Sequence, residues 1–191
     1  MRLLSDNAGD TLAAAGVFSS ARNGTLDLAL TPRPVSGTYD GLVKLRNIRV
    51  RNTSILADLL NAISVIGILE QLQGGGLVFS DAEGEFLLTP GAVELRRGSA
   101  IGASLGISMA GVYQSGSGQL NMQGVISPIY LLNGIGAVFT RRGEGLFGFN
   151  YTLRGTSAKP DIGVNPLSII TPGMFRDLFR GPAPILKGSG G

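Results

Sequence analysis

Apolar side chains alternate with polar or small ones along several short segments of this chain. In residues 25–31 leucine occupies every second position, and in residues 147–153 aromatic residues and a leucine do the same. Residues 39–51 form a longer segment of this kind, and clusters of Ser, Gly and Pro separate the segments. Alternation with a period of two is typical of strands that bury one face. The pattern predicts a mostly β protein with a few helices (α+β), built on an antiparallel, twisted sheet.

One segment has the periodicity of a helix instead. Between residues 54 and 72, leucine and isoleucine recur at intervals of three and four, and only Asp58 and Glu70 are charged. Thr53 or Ser54 can cap its start, and the glycines at 74–76 end it. We therefore predict an amphipathic helix near residues 54–72 at one end of the sheet. It either plugs a β core or acts as an end-cap that touches a membrane.

The distribution of charge separates the two faces of the predicted sheet. From Gly98 to Thr140 the chain carries no charged residue, and the positions between the apolar ones hold Gly, Ser, Ala, Asn and Gln. A sheet with one wet face normally carries Lys or Glu on that face. We therefore expect one apolar face and one small, neutral face, with much of the glycine on the neutral one. Such a sheet is either covered on both sides or lines a groove for an apolar ligand.

The composition excludes most catalytic chemistry. The 191 residues include no histidine and no cysteine, which removes disulfides, thiolate nucleophiles and the commonest metal ligands. Ser104 lies in a G-x-S-x-G pattern, but a hydrolase triad built on it lacks its histidine base. We expect a protein that is not an enzyme, with no catalytic residue, no cofactor and no metal site. A hydrolase that uses Ser104 is the enzyme alternative.

Basic residues are concentrated on one predicted strand. The net charge is only +3 and aromatic residues make up 6% of the chain, so base-stacking platforms are scarce and we expect no nucleic-acid partner. The basic cluster on segment 39–51 either binds phosphate groups or forms the wet face or protected edge of a strand. Its members are Lys44, Arg46, Arg49 and Arg51.

Several short motifs carry a resemblance to a known family. Residues 124–136 (GVISPIYLLNGIG), 143–151 (GEGLFGFNY), 164–168 (VNPLS) and 172–176 (PGMFR) resemble the C-terminal region of AsmA-like proteins of Gram-negative bacteria. The resemblance is to the large members related to YhdP and TamB, and it extends over residues 10–180.

The resemblance implies a fold, a location and a function. Such proteins are anchored in the inner membrane and cross the periplasm as a twisted, taco-like β-groove whose apolar interior carries phospholipid acyl chains. This chain would be a C-terminal segment of that bridge, in the periplasm or cell envelope, without the anchor. It would form one domain over residues 1–182, followed by a flexible tail at 183–191. Its partners would be phospholipid acyl chains and an outer-membrane or periplasmic protein.

Alternation in the second half of the chain predicts which side chains line such a groove. The same alternation is expected if these side chains pack as an ordinary core under the helix near residues 54–72. The alternative function is then a structural or interaction module, an end-cap that docks an envelope protein without binding lipid. The predicted groove residues are Leu105, Ile107, Met109, Leu120, Met122, Phe147, Phe149 and Tyr151.

Overall fold

The computed structural model places most of the chain on one sheet. It describes residues 1–16, 18–51, 53–63, 66–128 and 148–165. The groove candidate Phe147, the predicted tail 183–191 and much of the family-like motifs lie outside these residues.

The described residues form ten strands and three helices. The strands are β1 (Arg2–Ser5), β2 (Ala21–Arg22), β3 (Thr25–Pro32), β4 (Tyr39–Val50), β5 (Leu77–Leu88), β6 (Ala92–Gly102), β7 (Leu105–Gln114), β8 (Gln119–Pro128), β9 (Phe149–Thr156) and β10 (Lys159–Asn165). The helices are α1 (Ala8–Ala14), α2 (Ser54–Ala62) and α3 (Ile66–Gln73).

The strands form one antiparallel sheet with a simple order. From β3 to β10 each strand pairs with the next along the chain, while β1 pairs with β3 and β2 pairs with β4. Among the described strands, β1 and β10 form the two edges. The prediction of a mostly antiparallel β fold with a few short helices is confirmed.

The register separates the two faces of the sheet over eight strands. Two neighbouring rows of cross-strand partners show this. One row is Leu28, Val43, Gly84, Gly98, Met109, Gly124, Tyr151 and Val164. The adjacent row is Asp27, Lys44, Glu83, Ser99, Ser108, Val125, Asn150 and Asn165. We call the side of the first row the apolar face and the side of the second row the polar face.

Glycine on the apolar face allows close packing of larger neighbours. A Cβ at Gly124 would collide with the carbonyl oxygen of Ser108 and would lie 2.8 Å from the hydroxyl of Tyr151. A Cβ at Gly41 would collide with the ring of Phe86. Aromatic side chains that cover a neighbouring glycine, together with β-bulges, are devices that let a sheet curve. Each strand from β4 to β9 carries a glycine on the apolar face: Gly41, Gly84, Gly98, Gly111, Gly124 and Gly155.

This placement corrects the expectation that glycine marks the neutral face. Within the uncharged stretch, Gly98, Gly111 and Gly124 lie on the apolar face, and Gly106 lies on the polar face. The register of β6 with β7 shifts between Leu95 and Gly98, so sequence alternation does not carry through that point.

The predicted helix near residues 54–72 is two helices, α2 and α3. Thr53 caps α2 as expected, with its hydroxyl oxygen accepting a hydrogen bond from the amide of Leu56 at 3.3 Å. Helix α2 ends at Ala62 with Ile63 as its C-cap, and α3 begins at Ile66. The sequence of residues 63–66 is rich in β-branched residues, which lower helix propensity. Gly76, with φ of +86°, follows α3 and directs the chain into β5.

The two helices close one end of the sheet. Helix α2 directly follows β4 yet contacts β10, and α3 contacts β5. Six strand spacings separate β4 from β10, about 29 Å in a flat sheet, whereas α2 is only about 14 Å long. The sheet therefore curls around the helices, with the apolar face inside. We call this helix pair the cap.

Burial is deepest beside the cap. The largest side chains that are fully buried are Leu60, Leu72, Leu105, Ile126 and Pro128, all on the helices or at the strand ends next to them. At the opposite end of the strands lie the turns at 33–38, 89–91, 115–118 and 157–158. We call that end the turn end.

We expect Gly124→Ala to destabilise the protein by about 1–3 kcal/mol, because the new methyl group meets backbone atoms of β7 that cannot move freely. The control is Gly116→Ala, at a turn position with no atom within 4 Å of the new Cβ, which should change stability by less than about 0.5 kcal/mol. Chemical denaturation measures both. Equal effects of the two substitutions would contradict this packing.

Candidate functional site

The structure places the described groove candidates on one face but in two environments. Leu105, Leu120 and Tyr151 are buried, so they belong to the packed core. The other four are half-buried and pack against that core: Ile107, Met109, Met122 and Phe149. All seven described candidates therefore belong to the core cluster or pack against it.

A more open part of the apolar face is formed by residues that are not among the predicted groove residues. Five apolar side chains at the turn end of β3, β5 and β6 are half-buried but do not pack against the core cluster. They share the apolar face with Met109 and Met122 through the cross-strand register. These residues, which we call the open groove, are Leu30, Phe86, Leu88, Val93 and Leu95.

Sequence alternation could have found part of the open groove. Val93 and Leu95 alternate with Glu94 and Arg96, and this pattern is visible in the sequence. What the sequence does not show is which apolar residues remain uncovered. That depends on the cap, which lies at the other end of the strands.

The apolar face carries no charged side chain along the described parts of β3 to β10. Charged residues on these strands lie on the polar face, where several form ion pairs. Arg2 binds Asp27 at 2.6 Å, and Arg97 contacts both carboxylate oxygens of Glu85 at 2.9 Å. The hydrogen bond from Arg2 holds the pKa of Asp27 below its usual value. The sheet therefore has an ionic outer side and an uncharged inner side.

Tyr151 joins three strands across the apolar face. Its hydroxyl donates a hydrogen bond to the carbonyl oxygen of Ser108 at 2.8 Å, passing over Gly124. The hydroxyl oxygen of Ser108 in turn accepts a hydrogen bond from the amide of Val125 at 3.2 Å. Burial raises the pKa of Tyr151 well above its usual value, because the phenolate would be desolvated there.

The four basic candidates have two different surroundings. Arg49 donates to the carbonyl oxygen of Gly75 at 2.7 Å, and Arg51 donates to that of Gly74 at 2.6 Å. These carbonyls follow the C-terminus of α3, where cations are favourable. Lys44 lies opposite Asp27 and Glu83 in the register.

Arg46 lies opposite Asp81 on the polar face and makes no hydrogen bond or ion pair with another described residue. The structure therefore divides the proposed basic patch. Two of its members hold a helix, and two lie in the charged outer surface of the sheet.

Ser104 lies in the short turn between β6 and β7. Its hydroxyl donates to the side-chain oxygen of Gln71 at 2.8 Å, which ties this turn to α3. With no histidine in the chain, the G-x-S-x-G match has no general base of the hydrolase type. Within the described residues, no group of three or more acidic side chains is arranged to hold a metal ion.

The two clearest cavities of the described residues are shallow and lie away from the open groove. One, of about 390 Å³, is lined by Gln123, Thr152 and Gly163 among others. The second, of about 360 Å³, lies between Arg22, Arg51 and the serines at 19 and 20. The open groove is thus a half-buried surface of the curved sheet, separate from both of these cavities.

Comparison with known proteins identifies no relative of this chain. No protein-family model, no curated protein and no solved structure matches the chain. In the part of the chain that the structure describes, every helix is too short to cross a bilayer.

We expect Arg49→Gln and Arg51→Gln each to lower the melting temperature by about 2–4 °C, since each loses roughly 1 kcal/mol of charged hydrogen bonding to the end of α3. Arg46→Gln, on the same strand, is the matched control and should leave the melting temperature nearly unchanged. Thermal unfolding followed by circular dichroism measures all three. A drop in Arg46→Gln as large as in the other two would contradict the helix-holding role.

The burial of Tyr151 also predicts that the free energy of unfolding depends on pH. Its pKa is raised in the folded state, whereas in the unfolded chain it is about 10. The stabilisation is fully present below pH 10 and falls as the pH rises above it, by up to about 1.4 kcal/mol per pH unit. Tyr151→Phe should remove this part of the alkaline slope, while Tyr39→Phe should retain it. Denaturation curves from about pH 9 to about pH 11, on either side of the pKa of an unperturbed tyrosine, measure the slopes. Identical slopes in all three proteins would refute the assignment.

Proposed function

We propose that this chain is a non-enzymatic, C-terminal segment of a bridge-like phospholipid-transport protein of the Gram-negative envelope. In this proposal the apolar face offers a groove to acyl chains and so supports lipid homeostasis of the outer membrane. The segment would lie in the periplasm, as part of a protein anchored in the inner membrane. The AsmA-like motifs in the sequence support the family and the location.

The observation that carries the proposal is an uncharged apolar face that the described residues cover only in part. It extends over eight strands, and at its turn end Phe86, Leu88 and Leu95 are half-buried without packing against the core. Monomeric proteins rarely leave a continuous apolar surface uncovered unless something binds there. An acyl chain matches this surface, because it needs only apolar contact and no hydrogen-bonding partner.

The size of the surface suits this ligand. The open groove and its neighbours Met109 and Met122 extend across β3 to β8, five strand spacings or about 24 Å. That width accommodates more than one hydrocarbon chain side by side. Each CH₂ group removed from water contributes about 0.8 kcal/mol, so even partial coverage of one chain gives useful affinity.

A second candidate function has an observation of its own. Strand β1 pairs only with β3 among the described strands, and it exposes Met1 (81%), Leu4 (65%) and Leu3 (43%). An edge strand with exposed apolar side chains favours pairing with an extended segment of another protein. This fits a structural or interaction module that docks an envelope protein without binding lipid.

The experiment that tests the proposal compares two neighbouring leucines. Leu88 lies on the apolar face and Leu87 on the polar face, and both are half-buried. Protein purified from Gram-negative cells is extracted, and bound phospholipid is quantified by mass spectrometry. We expect Leu88→Gln to lower bound phospholipid several-fold, because the amide would be desolvated by the acyl chain, while Leu87→Gln keeps the wild-type amount.

Two outcomes would overturn the proposal. One is wild-type protein that carries no phospholipid. The other is an equal loss of bound phospholipid in both variants while both still fold. That result would show that the apolar face does not bind the lipid. If lipid is absent and substitution of Leu4 by Lys abolishes capture of a specific envelope protein, the interaction module is the better account.

A further inference from the structure

We infer that the groove is one-ended: a bound acyl chain points its terminal methyl group at the cap and places its polar headgroup at the turn end. This inference depends on the proposed function, since it names how the same ligand is oriented. It follows from three features of the groove: a closed floor, an uncharged wall and a polar rim.

The floor of the groove, at the cap, is formed by side chains that solvent does not reach. Leu60 and Leu72 of the cap are fully buried, and Leu105 and Ile126 are buried beside them at 1% and 0% exposure. The outward side of the cap is polar, with Asp58, Glu70 and other exposed side chains. A polar outer surface over an apolar inner one is the arrangement by which capping elements end an open β structure.

The floor is held in place by polar contacts at three points. Arg49 and Arg51 hold the carbonyls that follow α3, and Ser104 holds Gln71 within it. On the other side α2 contacts β10, so the cap is fixed to both halves of the curled sheet. The cap therefore blocks this end of the groove to a ligand.

The wall of the groove offers no partner for a headgroup. Because the apolar face has no charged side chain along the described strands, a phosphate or ammonium group placed there would be desolvated without compensation. At the turn end Arg33 and Arg96 bind Asp40 at 2.7 and 3.1 Å, and Asp40 belongs to the polar face, which borders the mouth of the groove there. These side chains are about 40% exposed, so a headgroup at this rim keeps contact with both charge and water.

The depth of the groove is slightly greater than the length of one hydrocarbon chain. From Ala100, near the cap, to Val93, at the turn end, β6 extends about 20 Å. The hydrocarbon of one bilayer leaflet is about 15 Å deep, half of the roughly 30 Å core. An acyl chain of ordinary length that lies over half-buried side chains such as Met109 can therefore extend most of the way to the cap while its headgroup stays at the rim.

The test uses single cysteines, which are unambiguous because the chain has none. Ala100→Cys and Val93→Cys carry a fluorophore on the apolar face near the cap and at the turn end. Ser99→Cys and Glu94→Cys carry it at adjacent positions on the polar face. Each labelled protein is mixed with phosphatidylcholine vesicles whose lipid bears a nitroxide quencher near the ester carbonyl or near the chain terminus.

We expect the chain-terminal nitroxide to quench position 100 at least twofold more than position 93, and the carbonyl-proximal nitroxide to give the reverse order. Equal or inverted order at the two positions would overturn the orientation while leaving lipid binding intact. Quenching no stronger than at positions 99 and 94 would instead contradict the proposed function itself. Ile107→Cys and Tyr113→Cys, which lie close to the first pair on the neighbouring strand, repeat the comparison if a variant of the first pair does not fold.

Discussion

Glycine on the inner side of the sheet is the constraint on which the remaining structure depends. The space that Gly124 leaves is filled by Tyr151, whose hydroxyl reaches the carbonyl of Ser108 two strands away, and Phe86 covers Gly41 in the same manner. Small residues on the concave side and large ones over them let the strands bend toward each other, with bulges in β5 and β6 adding to the bend. This curvature brings β10 within reach of α2, so that the cap contacts both halves of the curled sheet.

The segregation of charge follows from the same geometry. Once the sheet curls around the cap, the inner face is surrounded by hydrocarbon, and an ion there would lose hydration with no partner in reach. Outer positions remain wet, so Asp27, Glu85 and their arginine partners contribute mainly to solubility and register. Within the described residues, the surface that results is apolar and only partly covered at the turn end. The proposed binding of an acyl chain rests on this surface.

The sequence predicted individual strands better than it predicted which parts of the chain contact each other. Residues 25–32 and 39–50 could be identified as strands because their alternation is regular, whereas β10 was missed because Pro160 and Gly163 interrupt it. The break between α2 and α3 was also missed, since apolar periodicity continues across the β-branched run at 63–66. The role of a residue could not be predicted where its partner is distant in the sequence. Arg49 donates to a carbonyl 26 residues away, and no pattern in the neighbouring sequence indicates this hydrogen bond. The open groove was likewise hidden, because exposure of Phe86 or Leu95 depends on where the cap lies.

The four methionines allow the most direct test of an apolar groove that holds a lipid chain. Met109 and Met122 lie on the apolar face, half-buried, whereas Met1 is 81% exposed at the sheet edge. Methyl NMR of ¹³C-methionine protein, recorded with a phospholipid that carries a spin label on its acyl chain, reports which methyl groups the chain approaches. A lipid in the groove predicts strong broadening of the Met109 and Met122 signals with the Met1 signal little changed. Sharp Met109 and Met122 signals in the presence of bound lipid would contradict the account.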